Sequence, residues 1–272
     1  VVSVKGGLYK LPQGELTVGA ALGEGEVVRT GLGARAVLRL ADGSLVEVNQ
    51  RTELAVQAAW SGETIRLERG DIIVQAAKQR RGRLRAVTRD SVASVKGTVF
   101  TVSAGLSGTL VSVLEGSVHV LQPGGERWLS PGQQAASSPM LEAVPARNTV
   151  AWSDHAARYF ELLNELTHIE AKVAASTTPS VRTQARLLPY LPSDAVLYVA
   201  VPNLGAAIGQ AANLIEQRAQ ESAVLREWWS SANSRHFKEL AGRIQAVAPL
   251  LGDEVVFVVV KSGRGIPAVL AE

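Results

Sequence analysis

The chain has 272 residues, 46% of them hydrophobic and 19% charged, with a formal net charge of +3. That length allows one large or two ordinary domains with proper cores, and so small a charge gives no argument for nucleic acid. There is no cysteine, which excludes thiol nucleophiles and leaves an exported form dependent on its core alone.

The chain opens in a strand-like run, Val1-Val-Ser-Val-Lys, so a removed upstream segment is expected. No apolar run approaches the roughly 20 residues that cross a bilayer. The longest, Val255–Val260, suits a buried strand. Membrane attachment would therefore come only through an anchor outside this sequence.

From Arg29 to Val48 two alternating runs, Ala34-Val-Leu-Arg-Leu and Leu45-Val-Glu-Val, flank Asp42-Gly43-Ser44. Asp-Gly supplies the positive φ that a twist-compatible hairpin turn needs. Further turn signals follow at the spacing of all-β domains: Ser61-Gly62, Arg69-Gly70, Lys96-Gly97, Ser107-Gly108, Glu115-Gly116, Pro123-Gly-Gly and Pro131-Gly132. Alternation in Thr109-Leu-Val-Ser-Val-Leu sets Leu110, Ser112 and Leu114 against Val111 and Val113. The more β-branched face is expected to be buried.

Three segments carry a resemblance. They are Val27 to Val48, then Val95-Lys-Gly-Thr-Val-Phe-Thr-Val, then Val111-Ser-Val-Leu-Glu-Gly-Ser-Val-His-Val with Leu129-Ser-Pro-Gly-Gln-Gln-Ala. In order and spacing they resemble the FecR-type domain, an extracytoplasmic β module of bacterial sensors and envelope proteins, over about residues 20–138. The resemblance implies two packed antiparallel sheets and a binding or assembly role outside the cytoplasm. Family members that act as anti-sigma regulators carry a helical sigma-binding segment and a membrane helix before this domain. Neither is in this sequence, so the sigma-regulating role is not carried over.

Lys78-Gln-Arg-Arg-Gly-Arg-Leu-Arg holds five cations, Lys78, Arg80, Arg81, Arg83 and Arg85. It reads as an anion or partner site, or more plainly as a solvated loop that protects a sheet edge. Arg83 and Arg85 alternate around Leu84 and so share a face. No aromatic residue lies nearby to stack single-stranded nucleic acid.

At Pro145 the period changes. Trp152, Ala156, Tyr159, Phe160, Leu163, Leu166, Ile169 and Val173 lie at helical spacing, with Thr149 or Ser153 available as a cap. This helix is expected to pack on its own β domain; the alternative is a helix offered to a partner chain. Ser176-Thr-Thr-Pro-Ser reads as a linker. A strand at Val196–Val201 follows, then an Asn203-capped helix through Leu204, Ile208, Ala212 and Ile215. Two more helices come after it, then strands at Glu254–Lys261 and Ile266–Leu270. This part resembles the start of an uncharacterised bacterial envelope-protein family, and it looks incomplete. Of the adjacent Trp228 and Trp229, core packing is the plain reading and an interface anchor the sharper one.

Catalytic chemistry finds little footing. His119, His155, His168 and His236 have no metal-ligand spacing. Gly31-Leu-Gly-Ala-Arg-Ala and Gly263-Arg-Gly-Ile-Pro-Ala lack the strand-then-helix context of a dinucleotide site. No catalytic residue, metal or cofactor is expected.

The expected architecture is multidomain, β followed by α+β. It has an N-terminal two-sheet antiparallel β domain over 1–145, a linker helix and loop over 146–180, and a partial α+β domain over 181–272. The expected role is a non-enzymatic extracytoplasmic binding or assembly protein of the envelope, working through a protein partner or self-assembly. One alternative is a module for an anionic envelope polymer. Another is an enzyme whose site lies in a missing C-terminal region.

Overall fold

The computed structural model describes residues 1–12, 14–59, 62–78, 83–141, 144–176, 190, 195–202, 205–230, 232–250, 254–260 and 268–271. It divides into two compact units, Val1–Thr167 and His168–Glu272. The whole is a mostly-β N-terminal region followed by an α+β region, as expected.

The first unit holds β1 (Ser3–Lys5), β2 (Leu8–Leu11), β3 (Val27–Thr30), β4 (Arg35–Arg39), β5 (Leu45–Val48), β6 (Glu53–Ala59) and β7 (Gly62–Gln75). It continues with β8 (Leu84–Val87), β9 (Val92–Val95), β10 (Val99–Gly105), β11 (Gly108–Glu115), β12 (Val118–Gln122), β13 (Gly125–Leu129) and β14 (Gln134–Ala136). The expected hairpin is β4–β5, in register Arg39 to Leu45. Its turn is held by the Leu40 N–H on the Ser44 carbonyl, 2.8 Å, with Gly43 at φ +88°. Asp42 Oδ1 accepts the Ser44 N–H at 2.8 Å.

Two packed antiparallel sheets were expected. All fourteen strands are joined in one hydrogen-bonded network, because β7 serves both halves. Its first part pairs with β6 and β8, its second with β5 and β10. Gly70 lies where the partners change, at φ +97°, and a Cβ there would stand 2.3 Å from Thr52 Oγ1 and 2.5 Å from Thr52 Cα. Only glycine lets the strand pass so closely. Thr52 Oγ1 then accepts the Asp71 N–H at 3.1 Å.

A second departure is that β7 and β8 run parallel, Thr64 opposite Arg85. With β9 on its other side, β8 is interior.

Leu8, Leu38, Leu54, Ile65, Leu67, Ile72, Leu84 and Phe100 fill the core between the halves. In β11 both faces are buried, against the expectation of one. Val111 and Val113 enter the main core, while Leu114 joins Ile73, Val150, Tyr159 and Leu163 in a second cluster. The cover on that outer side is a 3₁₀ turn, Ala146–Val150, and the first part of helix α1 (Ala156–Ser176). This first part of the helix packs on its own β domain through Tyr159 and Leu163.

A buried carboxylate holds the helix start. Glu47 on β5 accepts the Tyr159 hydroxyl at 2.6 Å and the Ser153 hydroxyl at 2.5 Å. Gln75 Nε2 donates to Tyr159 Oη at 2.7 Å and to Glu47 at 3.2 Å. Burial, and then Glu47, push the Tyr159 hydroxyl well above the ordinary tyrosine range. Of the two expected caps, Ser153 Oγ accepts the His155 N–H at 2.9 Å, next to the first helical turn. Thr149 instead closes the 3₁₀ turn, its hydroxyl donating to the Ala146 carbonyl at 2.7 Å.

A second polar cluster ties the β8–β9 turn to β11 and the end of β14. Asp90 accepts the hydroxyls of Thr109 at 2.5 Å, Ser137 at 2.8 Å and Thr88 at 3.2 Å. Burial raises the carboxyl's pKa, but the three hydroxyls and Arg89 outweigh it, so the net shift is downward. The sign is that of a depressed acid. The stabilisation is full above the ordinary aspartate pKa of about 3.9 and is lost as pH falls through the folded value. Asp90→Ala is expected to cost about 1–2 kcal/mol. Asp90→Asn is expected to flatten the acid limb of a melting-temperature profile between about pH 2 and 5.

The second unit has β15 (Ala195–Pro202), α2 (Gly205–Glu221), α3 (Ala223–Ser230), α4 (Ala232–Val247), β16 (Glu254–Val260) and β17 (Ala268–Ala271). The strands form an antiparallel sheet in the order β15-β16-β17. Ser222 Oγ accepts the Leu225 N–H at 3.2 Å at the start of α3. Asn203, Gly263 and the Ser176–Ser180 linker beyond Ser176 lie outside the described residues, as does the side chain of His236. No helix among the described residues is long and apolar enough to cross a membrane.

Candidate interaction surface

The outer sides of the two halves differ. That of β5, β10 and β11 is covered by the helix. That of β7, β8, β9, β12 and β13 faces solvent. Alternation explains it: Leu84, Ala86, Ala93, Val95, Val118 and Val120 point into the core, and the residues between them point out.

Cross-strand register arranges the outward residues in two rows. One runs Trp128, His119, Ser94, Arg85, Thr64. The other runs Glu126, Leu121, Val92, Val87, Arg66. None of the ten is buried. Trp128 is 64% exposed and Leu121 45%.

His119 is fixed between two neighbours. Its ring lies 4.9 Å from that of Trp128 at 41°, and its Nε2 is 3.2 Å from Glu126 Oε2. The second contact is an ion pair only when the imidazole is protonated. Among the described residues β13 pairs only with β12, so its other edge presents unpaired backbone groups. An apolar strip, Leu121–Val92–Val87, thus runs from Glu126 to Arg66, with Arg85 and an exposed indole in the neighbouring row. That is the composition of a recognition surface, with an aromatic and an arginine available as anchors.

The residues singled out in the sequence scatter. Arg85 stands in the first row. Arg83 is exposed just before β8 and Lys78 is exposed just after β7, while Arg80 and Arg81 lie outside the described residues. Trp228 and Trp229 belong to the second unit. Their rings are 6.0 Å apart, packed against the cluster of Ile169, Ile215, Ala219 and Leu225. Lys238 Nζ sits 4.3 Å from the Trp229 ring centre. His168 is exposed, and His155 Nδ1 lies 3.3 Å from Glu47. Among the described residues no group of three or more His, Asp or Glu could hold a metal ion.

The Trp128–His119–Leu121 part of the surface escaped sequence reasoning, because register brings it together. Its signal was the alternation Val118-His-Val-Leu followed by Glu126-Arg-Trp.

The family model described as FecR protein matches residues 26–119. Two crystal structures of a protein described as a "putative anti-sigma factor" from Parabacteroides distasonis ATCC 8503 are similar at 21% identity and a TM-score of 0.42. The similarity covers 46% of this chain and 63% of that one, less than two thirds of its length. No curated protein matches. The family match lies within the β unit, which is similar to the FecR protein family over those residues.

Proposed function

We propose that this chain is a non-enzymatic binding module of the bacterial envelope, acting outside the cytoplasm by docking a protein partner on the uncovered sheet face. The FecR-type match supports a signalling and binding role. The observation that carries the docking face is the contrast between the helix-covered outer side and the open one, with Trp128 and Leu121 exposed in register on it.

The test is site-specific photocrosslinking in cells that carry the full-length chain. A crosslinker at position 121 or 128 is expected to give a discrete adduct. One at Leu106, 97% exposed on the β10–β11 turn, is expected to give none. Leu121→Arg is expected to abolish the adduct at 128 while changing stability by about 0.5 kcal/mol or less. A strictly monomeric chain without adducts at either position would refute the reading.

A second reading is binding of an anionic envelope polymer. Arg66 and Arg85 share this same face, and Lys78 and Arg83 are exposed at the two ends of the connection into β8. It predicts binding that weakens steeply with salt and is lost when Lys78, Arg80, Arg81, Arg83 and Arg85 become alanine. Binding indifferent to both excludes it.

A further inference from the structure

At one end of the β unit the core is not filled. A partly open cavity of about 390 Å³ lies among the 20–24 loop, the β4–β5 turn and the β6–β7 hairpin. That volume is within the range of about 300–1,000 Å³ typical of small-molecule sites, which recur at the mouths of β structures. Its floor is apolar, made by Val28, Leu38, Leu40, Leu54 and Val56.

Among the described residues its charged side chains are mostly acidic. Glu24, Glu26 and Glu63 are present, and Arg39 is the one basic side chain. Glu26 is already engaged by Lys10 Nζ at 3.0 Å and the Gly23 N–H at 2.8 Å. Glu63 is different: it is only 6% exposed, it lines the cavity, and among the described residues the charges that act on it are the acidic Asp42 and Glu24. Burial, with Asp42 and Glu24 nearby, pushes its carboxyl above the ordinary range, against the pull of the Ala41 and Asp42 backbone N–H groups.

We propose that this cavity binds a straight-chain primary alkylammonium ligand, its hydrocarbon on the Leu38–Leu54 floor and its ammonium on Glu63. Burying a carboxylate in an apolar recess is costly unless a cation meets it. An ammonium there makes charge-assisted hydrogen bonds and reverses the repulsion from Asp42 and Glu24. The inference is independent of the docking face and involves different residues.

The experiment is calorimetric titration of the full chain with n-butyl-, n-pentyl- and n-hexylammonium. Each added methylene is expected to tighten binding about four-fold. Hexanol tests the chain without the charge, and methylammonium the charge without the chain; both are expected to bind at least about ten-fold more weakly than hexylammonium. Nα-acetyl-lysine methylamide tests whether a lysine side chain serves as well as a free amine.

Glu63→Gln is expected to lose at least about ten-fold in affinity. Ala58→Phe, at an exposed position of the lining, is expected to block the cavity while the melting temperature stays unchanged. Equal binding of hexanol and hexylammonium overturns the proposal. So does undiminished binding by Glu63→Gln, or no binding of hexylammonium at millimolar concentration.

Discussion

Gly70→Ala lowers the melting temperature by about 6–20 °C, a loss of about 3–5 kcal/mol at about 2–4 °C per kcal/mol for a domain of this size. Three effects add. A side chain at φ +97° costs about 1 kcal/mol. The new methyl meets Thr52 at less than van der Waals distance, backbone included, and such overpacking costs about 1–3 kcal/mol. Movement of Thr52 to relieve it sacrifices the hydrogen bond from Asp71, about 1 kcal/mol. Gly132→Ala is the control. Its φ is +80°, and a Cβ there meets nothing within 4 Å. Only the conformational cost of about 1 kcal/mol is expected. Calorimetric melts of the two variants decide it, and equal losses at both positions would sink the close-approach argument.

Glu47→Ala is expected to cost about 3–5 kcal/mol and to free the first turns of α1. The substitution leaves the Tyr159 and Ser153 hydroxyls and the Gln75 amide without their shared acceptor. Tyr159→Phe removes one donor and is expected to cost about 1–3 kcal/mol. A double-mutant cycle between the two positions should return a coupling on the order of 1–3 kcal/mol. Limited proteolysis in α1 reads out the release directly.

The alkaline limb supplies an independent check. The folded Tyr159 pKa is raised. Its contribution is therefore complete below the ordinary tyrosine value of about 10 and is lost as pH climbs above it. The expected slope is up to about 1.4 kcal/mol per pH unit. Tyr159→Phe should remove that component of the slope. An unchanged alkaline limb would show that the hydroxyl does not titrate with unfolding.

Local patterns made much of this fold legible. The Asp42-Gly43 turn, the alternating strands and the Trp152–Val173 stripe each carry their structure in a few neighbouring residues. What could not be read is set by contacts distant in sequence. That β7 changes partners at Gly70 depends on Thr52, and that β11 is buried on both sides depends on Tyr159 and Leu163. Glu47 sits in an alternating run, and nothing local distinguishes it from a solvated glutamate. The two hydroxyls it accepts lie more than a hundred residues away, at 153 and 159. The interaction surface was half legible. Arg85 stood out by charge, whereas Trp128 and His119 gain meaning only once strand register sets them side by side.

The shared strand has a kinetic consequence. Residues 62–75 must find partners at both 45–48 and 99–104, and also at 53–59 and 84–87. Neither half can complete its hydrogen bonding before the other has supplied β7, so the β unit is expected to fold as one cooperative block. Its ladders join segments far apart in sequence, including a parallel pair. Chains of that topology close costly loops early and fold in the slow range of about milliseconds to seconds. A newly made chain therefore spends that interval with the partners of β7 unsatisfied, the period when exposed strand edges are most vulnerable to association.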